Sequence, residues 1–193
     1  MGYAKNFLIT TVYFVRHAES DASIREDSAR PLTQKGLDDS QRVTQALKDK
    51  NISRIYASPY RRTVDTVRDI SRYLDQEIAL VDDFRERKVG EWVEDFRSYA
   101  IRQWDDFDYK LNGGESLREV QARNIAALFR IIARDRGEGI IVATHGTALS
   151  TIINYFQPEY GFDDFWHMVD KMPYIICMEF EGNNLRRMTE VVL

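Results

Sequence analysis

The chain has 193 residues, of which 44% are hydrophobic and 30% are charged, and its formal net charge is −4. This length and composition are typical of one globular domain, and the negative charge disfavours nucleic acid as a general partner. Cys177 is the single cysteine, so no disulfide can form within the chain, and a reducing compartment is favoured. No signal peptide or membrane-spanning stretch is visible, so we expect a cytoplasmic protein without a membrane partner, and nothing in the sequence indicates an oligomeric state.

The chain begins with an apolar strand pattern followed by a polar loop and a helix. Residues 11–15 are almost wholly apolar or aromatic, which predicts a strand buried on both faces. A polar loop follows over residues 19–31. Thr33 then predicts the N-cap of a helix that runs to about residue 50.

A second strand pattern leads directly into a second helix. We expect the strand at residues 52–57, and Ser58 with Pro59 predicts a helix start, with Ser as the cap and Pro at the first helical position. The apolar positions that follow share one face of this helix. A short third strand is expected at residues 78–81.

The middle of the chain departs from this regular alternation. Residues 84–112 are irregular and rich in Asp, Arg, Trp and Tyr, and we interpret them as a small inserted cap with some helix. Ser116 with Glu119 then matches the capping-box pattern and predicts the start of a long helix. We therefore expect residues 1–193 to form a single domain that carries one inserted cap.

The last part of the chain predicts a strand, a helix and a hairpin. The strand is expected at residues 140–143 and the helix at 148–156. Two final strands, at 174–180 and 185–192, are separated by turn residues that begin at Gly182. The alternation of strands and helices along the chain indicates the α/β class.

Two of the three histidines occupy the same kind of position. His17 and His145 each follow an apolar strand, and His145 also opens a predicted helix. The segment 58–62, which ends in Arg61 and Arg62, repeats this strand-to-helix junction. Because ligands bind at the carboxyl ends of parallel strands and anions bind at helix N-termini, we expect these side chains to line one anion site. His167 lies among aromatic residues, and we interpret it as a packed or partly exposed residue.

This set of residues suits phosphoryl transfer. A neutral imidazole is a competent nucleophile, and arginine forks with a second imidazolium stabilise the charge on the phosphate oxygens. The leaving oxygen needs a proton from a carboxylic acid with a raised pKa, for which Glu86 is the first candidate and Glu91 and Glu115 are alternatives. No metal-ligand motif is visible, so we expect no metal site.

Five segments of the chain resemble the motifs of one family and occur in that family's order. They are Val15-Arg16-His17-Ala18-Glu19-Ser20, Ser58-Pro59-Tyr60-Arg61-Arg62-Thr63-Val64-Asp65-Thr66, Phe84-Arg85-Glu86 with Gly90-Glu91-Trp92, Gly113-Gly114-Glu115-Ser116, and Ala143-Thr144-His145-Gly146. Together they resemble the histidine phosphatase superfamily, also called phosphoglycerate mutase-like. The resemblance implies a mostly parallel central sheet flanked by helices, with a cap inserted after the early strands.

The resemblance also implies roles for individual residues. His17 accepts the phosphoryl group, and Glu86 is the proton donor. Arg16, Arg62 and His145 hold the phosphate oxygens, with Arg61 as the alternative to Arg62. Neither a metal nor an organic cofactor is implied.

The chain departs from the family pattern near the first histidine. Ala18 replaces the commonest Gly, and Ala22 with Ser23 replaces the Trp-Asn pair of mutases and sugar bisphosphatases. Ser23 is therefore the candidate for the phosphate contact that Asn makes elsewhere. The segment 28–36 resembles that of smaller phosphatases and phosphohistidine phosphatases in the superfamily.

From these features we expect a phosphatase that hydrolyses a small phosphorylated metabolite through a phosphohistidine on His17. Three alternatives stay open at this point. They are a phosphoglycerate mutase, a phosphatase of phosphohistidine or another phosphoprotein, and a non-catalytic binder of a phosphorylated ligand. The missing Trp-Asn pair disfavours the mutase, and the presence of a proton donor such as Glu86 disfavours the binder.

Overall fold

A computed structural model describes residues 8–193 of the chain. The strands are β1 (Ile9–Arg16), β2 (Ile52–Ala57), β3 (Ile78–Leu80), β4 (Gly139–Thr144), β5 (Tyr174–Glu181) and β6 (Asn184–Val191). The α-helices are α1 (Gln34–Leu47), α2 (Arg61–Leu74), α3 (Phe96–Asp105), α4 (Leu117–Arg134), α5 (Gly146–Phe156) and α6 (Phe162–Val169), and Asp82–Phe84 forms a 3₁₀ turn. Over residues 8–193, no helix has both the length and the apolar character needed to cross a membrane.

The six strands form one sheet in the order β3-β2-β4-β1-β5-β6. Strands β3, β2, β4 and β1 are mutually parallel, whereas β5 pairs antiparallel with β1 and β6 pairs antiparallel with β5. The sheet is therefore mostly parallel with an antiparallel hairpin at one edge, which confirms the predicted fold class.

The central strands are apolar on both faces because helices cover both faces of the sheet. In β4, Ile140 and Val142 belong to one buried cluster, and Ile141 and Ala143 belong to the other. This alternation follows from the two-residue period of a strand. The packing fixes which strand ends meet at the carboxyl edge of the sheet.

The starts of two helices agree with their sequence signals, and one does not. Thr33 caps α1 by accepting a hydrogen bond from the Gly36 N–H, and Ser116 with Glu119 forms the expected capping box of α4. The predicted start at Ser58 is wrong, because α2 begins at Arg61 with Tyr60 as its N-cap. The Ser58 hydroxyl accepts from the Tyr60 N–H at 3.3 Å and is also bonded to His145, as described below.

The segment predicted as a cap, residues 84–112, begins at the last residue of the 3₁₀ turn and contains α3. Phe96, at the start of α3, stacks on the Trp166 ring of α6, and Phe162 also stacks on the Trp166 ring. Helix α6 was not expected from the sequence. The division of the chain into one domain with a cap at 84–112 stays a prediction.

Candidate active site

The two strand-end histidines meet because β1 and β4 are adjacent and parallel. Arg16 is in register with Thr144, and the His17 N–H donates to the Thr144 carbonyl at 3.1 Å. The rings of His17 and His145 therefore lie edge to face, with their centroids 5.4 Å apart. The fold thus brings both histidines to the carboxyl edge of the parallel strands.

The His17 ring is held in one tautomer. Its Nδ1 lies 2.8 Å from the Ala18 carbonyl oxygen, and a carbonyl only accepts hydrogen bonds, so Nδ1 carries the proton. The Nε2 lone pair is then free to act as a nucleophile. Burial, with help from the charges of Arg62 and Arg16, lowers the pKa of His17 well below its ordinary value. The neutral imidazole is therefore the resting form.

His145 is fully buried and fixed from two sides. Its Nε2 lies 2.8 Å from the Ser58 hydroxyl, and Tyr60 packs edge-on against its ring with centroids 5.0 Å apart. Burial is the main reason that the pKa of His145 is lowered, and Arg62 and His17 add to the effect. This shift favours the neutral imidazole, whereas an imidazolium was expected from the sequence. Its buried Nδ1 has no hydrogen-bond partner within residues 8–193.

Arg62 projects into the site from the first turn of α2. It is 3% exposed, and its guanidinium lies 3.2 Å from a carboxylate oxygen of Asp27. The neighbouring Arg61 is exposed and pairs with Asp65. The structure therefore points Arg62, and not Arg61, toward the histidines.

Arg16 approaches the site from the opposite direction. One of its terminal nitrogens donates to the carbonyls of Met168, Val169 and Lys171, so it holds the end of α6. Burial lowers the pKa of Arg16 to about 10, and the guanidinium is still charged at neutral pH. Its buried Nε has no hydrogen-bond partner in the described part of the chain. Unpaired buried donors are rare, so this one calls for an explanation.

Glu86 lies at the N-terminus of α5. Its carboxylate accepts hydrogen bonds from the backbone N–H groups of Arg87 at 2.7 Å, Thr147 at 3.1 Å and Ala148 at 3.3 Å. The alternative donor Glu115 forms ion pairs with Arg85 and Arg123. These pairs hold its carboxylate away from the histidines.

A cavity of about 470 Å³ opens in front of His17, Arg62 and Glu86. Its other lining residues come from the loop before α1, the start of α2, the cap segment and α5, and they are Asp27, Arg30, Tyr60, Arg87, Lys88, Val89, Phe96 and Thr147. Arg16 and His145 do not line the cavity, and the ring of His145 packs against the ring of His17. Glu91 is exposed and is not part of the lining.

Two residues considered from the sequence lie elsewhere. Ser23 is exposed, donates its hydroxyl to Asp21, and lines a neighbouring cavity instead of the one at His17. His167 is exposed on α6, where its ring is bonded to the Asp163 carbonyl. The structure therefore brings together His17, His145, Arg16, Arg62 and Glu86, and it does not bring Ser23 to them.

Sequence reasoning missed several lining residues. Tyr60 stands in the same junction as Arg62, so its position was available from the motif. Arg87 is buried, lies over the rings of Phe96 and Tyr99, and keeps an unpaired Nε within the described residues. Asp27 lies in a polar loop and carried no signal that it would reach Arg62.

The fold and the site together define an α/β protein with paired histidines and an arginine-lined cavity at the carboxyl edge of its parallel strands. Within residues 8–193, no group of three or more His, Cys, Asp or Glu side chains is placed to hold a metal ion. The family model of the histidine phosphatase superfamily (branch 1) matches residues 12–189. The chain belongs to this superfamily.

Individual relatives agree with this assignment. Phosphoglycerate mutase-like protein 4 of Arabidopsis thaliana is 28% identical over 165 residues, which cover 76% of this chain and 71% of the relative. The solved structure of YhfR from Bacillus stearothermophilus is 25% identical, covers 92% of this chain and 94% of its own, and superposes with a TM-score of 0.76. The mycobacterial glucosyl-3-phosphoglycerate phosphatase is 15% identical, covers 95% and 98% of the two chains, and shares the fold with a TM-score of 0.78.

Proposed function

We propose that this protein is a phosphatase that hydrolyses a small phosphomonoester through a phosphohistidine on His17. The observation that carries the proposal is the hydrogen bond between His17 Nδ1 and the Ala18 carbonyl. It directs the free lone pair of Nε2 toward a cavity that also contains Arg62 and Glu86. A nucleophile, a fixed cation and an acid in one cavity are the groups that phosphoryl transfer requires.

In the first step, the Nε2 lone pair of His17 forms a bond to phosphorus while the bond from phosphorus to the leaving oxygen breaks. Glu86 transfers its proton to that oxygen, so the leaving group departs as a neutral alcohol. Arg62 and Arg16 hold the phosphate oxygens, and the unpaired Nδ1 of His145 is a further donor to them.

In the second step, water attacks the phosphorus and the bond to Nε2 breaks. Glu86 now accepts the proton from the attacking water, which returns both residues to their starting forms. The products are inorganic phosphate and the free enzyme. The proposed chemistry balances without a metal or an organic cofactor.

The first experiment is hydrolysis of p-nitrophenyl phosphate and of propyl phosphate with EDTA present. We expect turnover by the wild type, none by His17→Ala, and wild-type rates for the control His167→Ala, because His167 lies outside the cavity. Glu86→Gln removes a general acid that contributes about 10²–10⁴-fold. The loss is expected to be larger for propyl phosphate, because nitrophenolate leaves without needing a proton. Full turnover by His17→Ala contradicts the mechanism.

A mutase is the second candidate, and one observation favours it. Arg87 and Lys88 line the cavity beyond Glu86 and could bind a second anionic group. A relative named phosphoglycerate mutase-like is consistent with this function. Phosphoryl exchange between phosphoglycerates that depends on a bisphosphate primer, with little release of inorganic phosphate, would identify the mutase.

A further inference from the structure

A second cavity of about 700 Å³ adjoins the one at His17. It is lined by Ala22, Ser23 and Arg25 of the loop before α1 and by Trp92 of the cap segment. Arg30 lines both cavities. The two cavities are therefore neighbours, and a substrate that is held by its phosphate at His17 can extend past Arg30 toward the second one.

Trp92 is the chemically informative member of this lining. It is 87% exposed, so most of its indole surface is open to solvent. An indole ring held in a cavity wall offers a flat face for another ring. In Trp92 this face is open to solvent at the edge of the second cavity, so a ligand in that cavity can contact it.

Two arginines complete the polar side of the second cavity. Arg30 is held in place, because its Nε donates to the Ile24 carbonyl at 3.1 Å and its guanidinium lies 3.5 Å from Asp27. Arg25 is exposed and forms no ion pair within residues 8–193. Guanidinium groups stack on flat rings and bind polar substituents, so they favour the same kind of ligand as Trp92.

We propose that the second cavity is a subsite for the leaving group, and that it selects small phosphomonoesters whose leaving group carries a flat unsaturated ring on a short linker. This inference rests on the proposed function for the position of the phosphate. A leaving group that is itself only a three-carbon acid carries no ring that could contact Trp92. The subsite therefore favours substrates larger than the phosphoglycerates.

The test measures binding, so that it does not depend on turnover. In a His17→Ala background, calorimetry compares three esters with the same linker, namely propyl phosphate, 3-phenylpropyl phosphate and 3-cyclohexylpropyl phosphate. We expect the phenyl ester to bind about three- to tenfold more tightly than the other two, which is the range of a single aromatic contact. The cyclohexyl ester separates stacking on a flat ring from simple apolar burial.

Variants at Trp92 then assign the effect. Trp92→Ala should abolish the advantage of the phenyl ester, and Trp92→Phe should retain part of it. Tyr73→Ala removes an aromatic ring of α2 that is 60% exposed and lines neither cavity, and it should change nothing. The subsite is refuted if wild-type Trp92 gives no advantage to the phenyl ester, if the cyclohexyl ester binds equally well, or if the advantage survives Trp92→Ala. Absence of phosphatase activity would refute the proposed function but leave this binding result readable.

Discussion

Asp27 places a carboxylate on the guanidinium that we assign to the substrate's phosphate. Its side chain is 46% exposed and lies 3.2 Å from Arg62, which is almost fully buried. The carboxylate therefore competes with an incoming phosphate for the same donors. Partly exposed pairs of this kind contribute at most about 1 kcal/mol, so removal of the competitor has a modest effect.

We expect Asp27→Asn to strengthen competitive inhibition by inorganic phosphate about two- to fivefold, which corresponds to that energy. Asp21→Asn is the matched control, because Asp21 lies in the same loop but bonds Ser23 and does not line the cavity. Weaker inhibition in Asp27→Asn would show instead that Asp27 holds Arg62 in its binding position.

The two buried histidines make stability depend on pH. Burial lowers the pKa of both His17 and His145 well below the ordinary value of 6.5. Above pH 6.5 the two histidines are mostly neutral in the folded and in the unfolded chain, so they have little effect on how stability changes with pH. As the pH falls below 6.5, the unfolded chain takes up protons that the folded chain does not, so acid favours unfolding.

His145→Asn removes one of these groups. Each such histidine costs the wild type at most about 1.4 kcal/mol per pH unit below its unfolded pKa. The free energy of unfolding in urea, measured for both proteins at about pH 7.5 and pH 5.5, should therefore fall less in the variant, by about 1.4 kcal/mol. The carboxylates titrate alike in both proteins, so their contribution cancels in the difference. If both proteins lost the same free energy of unfolding between the two pH values, His145 would be protonated in the folded state.

At the scale of single elements, the start of α4 is stabilised by a reciprocal pair of hydrogen bonds. The Ser116 hydroxyl accepts from the Glu119 N–H at 3.2 Å, and the Glu119 carboxylate accepts from the Ser116 N–H at 2.9 Å. Ser116→Ala removes one of them and should cost about 1 kcal/mol. For a chain of this length that lowers the melting temperature by about 2–4 °C. Ser28→Ala, in an exposed loop, is the control and should leave the melting temperature unchanged.

Local signals predicted this element well and failed where a distant residue intervened. The capping box of α4 and the Thr33 cap of α1 depend only on neighbours along the chain. Ser58 was a reasonable cap by the same rules, but its hydroxyl also bonds His145, 87 positions away, and α2 begins later, at Arg61. Helix α6 has only eight residues, and the Arg16 side chain holds its end from across the molecule. No local pattern encodes that contact.

At the scale of the whole molecule, the sequence was sufficient to predict which site residues lie together when those residues end buried strands. His17 and His145 could be placed together because each ends a buried strand, and parallel strands present their carboxyl ends at one edge. The same argument could not place Ser23, because the loop that follows β1 has no periodic pattern. Asp27 belongs to the same loop, and its contact with Arg62 could not be predicted for the same reason.

The site draws its residues from several distant parts of the chain, so a bound anion should stabilise the whole fold. Arg16 is the last residue of β1, and Arg62 lies in the first turn of α2. Glu86 lies in the segment after the 3₁₀ turn, and His145 lies between β4 and α5. A ligand that binds only the folded state adds about 2.7 kcal/mol at a hundred times its dissociation constant. With about 2–4 °C for each kcal/mol, saturating phosphate should raise the melting temperature by about 5–10 °C.

The variant Arg62→Lys separates this effect from a general influence of salt. Lysine keeps the positive charge but lacks the fork that holds two phosphate oxygens, so the same phosphate concentration should raise its melting temperature by much less. His167→Lys is the matched control, because it adds a cation on the exposed face of α6, outside the cavity, and should keep the full shift. Thermal melts with phosphate and with equal ionic strength of chloride measure both. An equal shift in Arg62→Lys and wild type would mean that phosphate stabilises the protein from somewhere other than the cavity at His17.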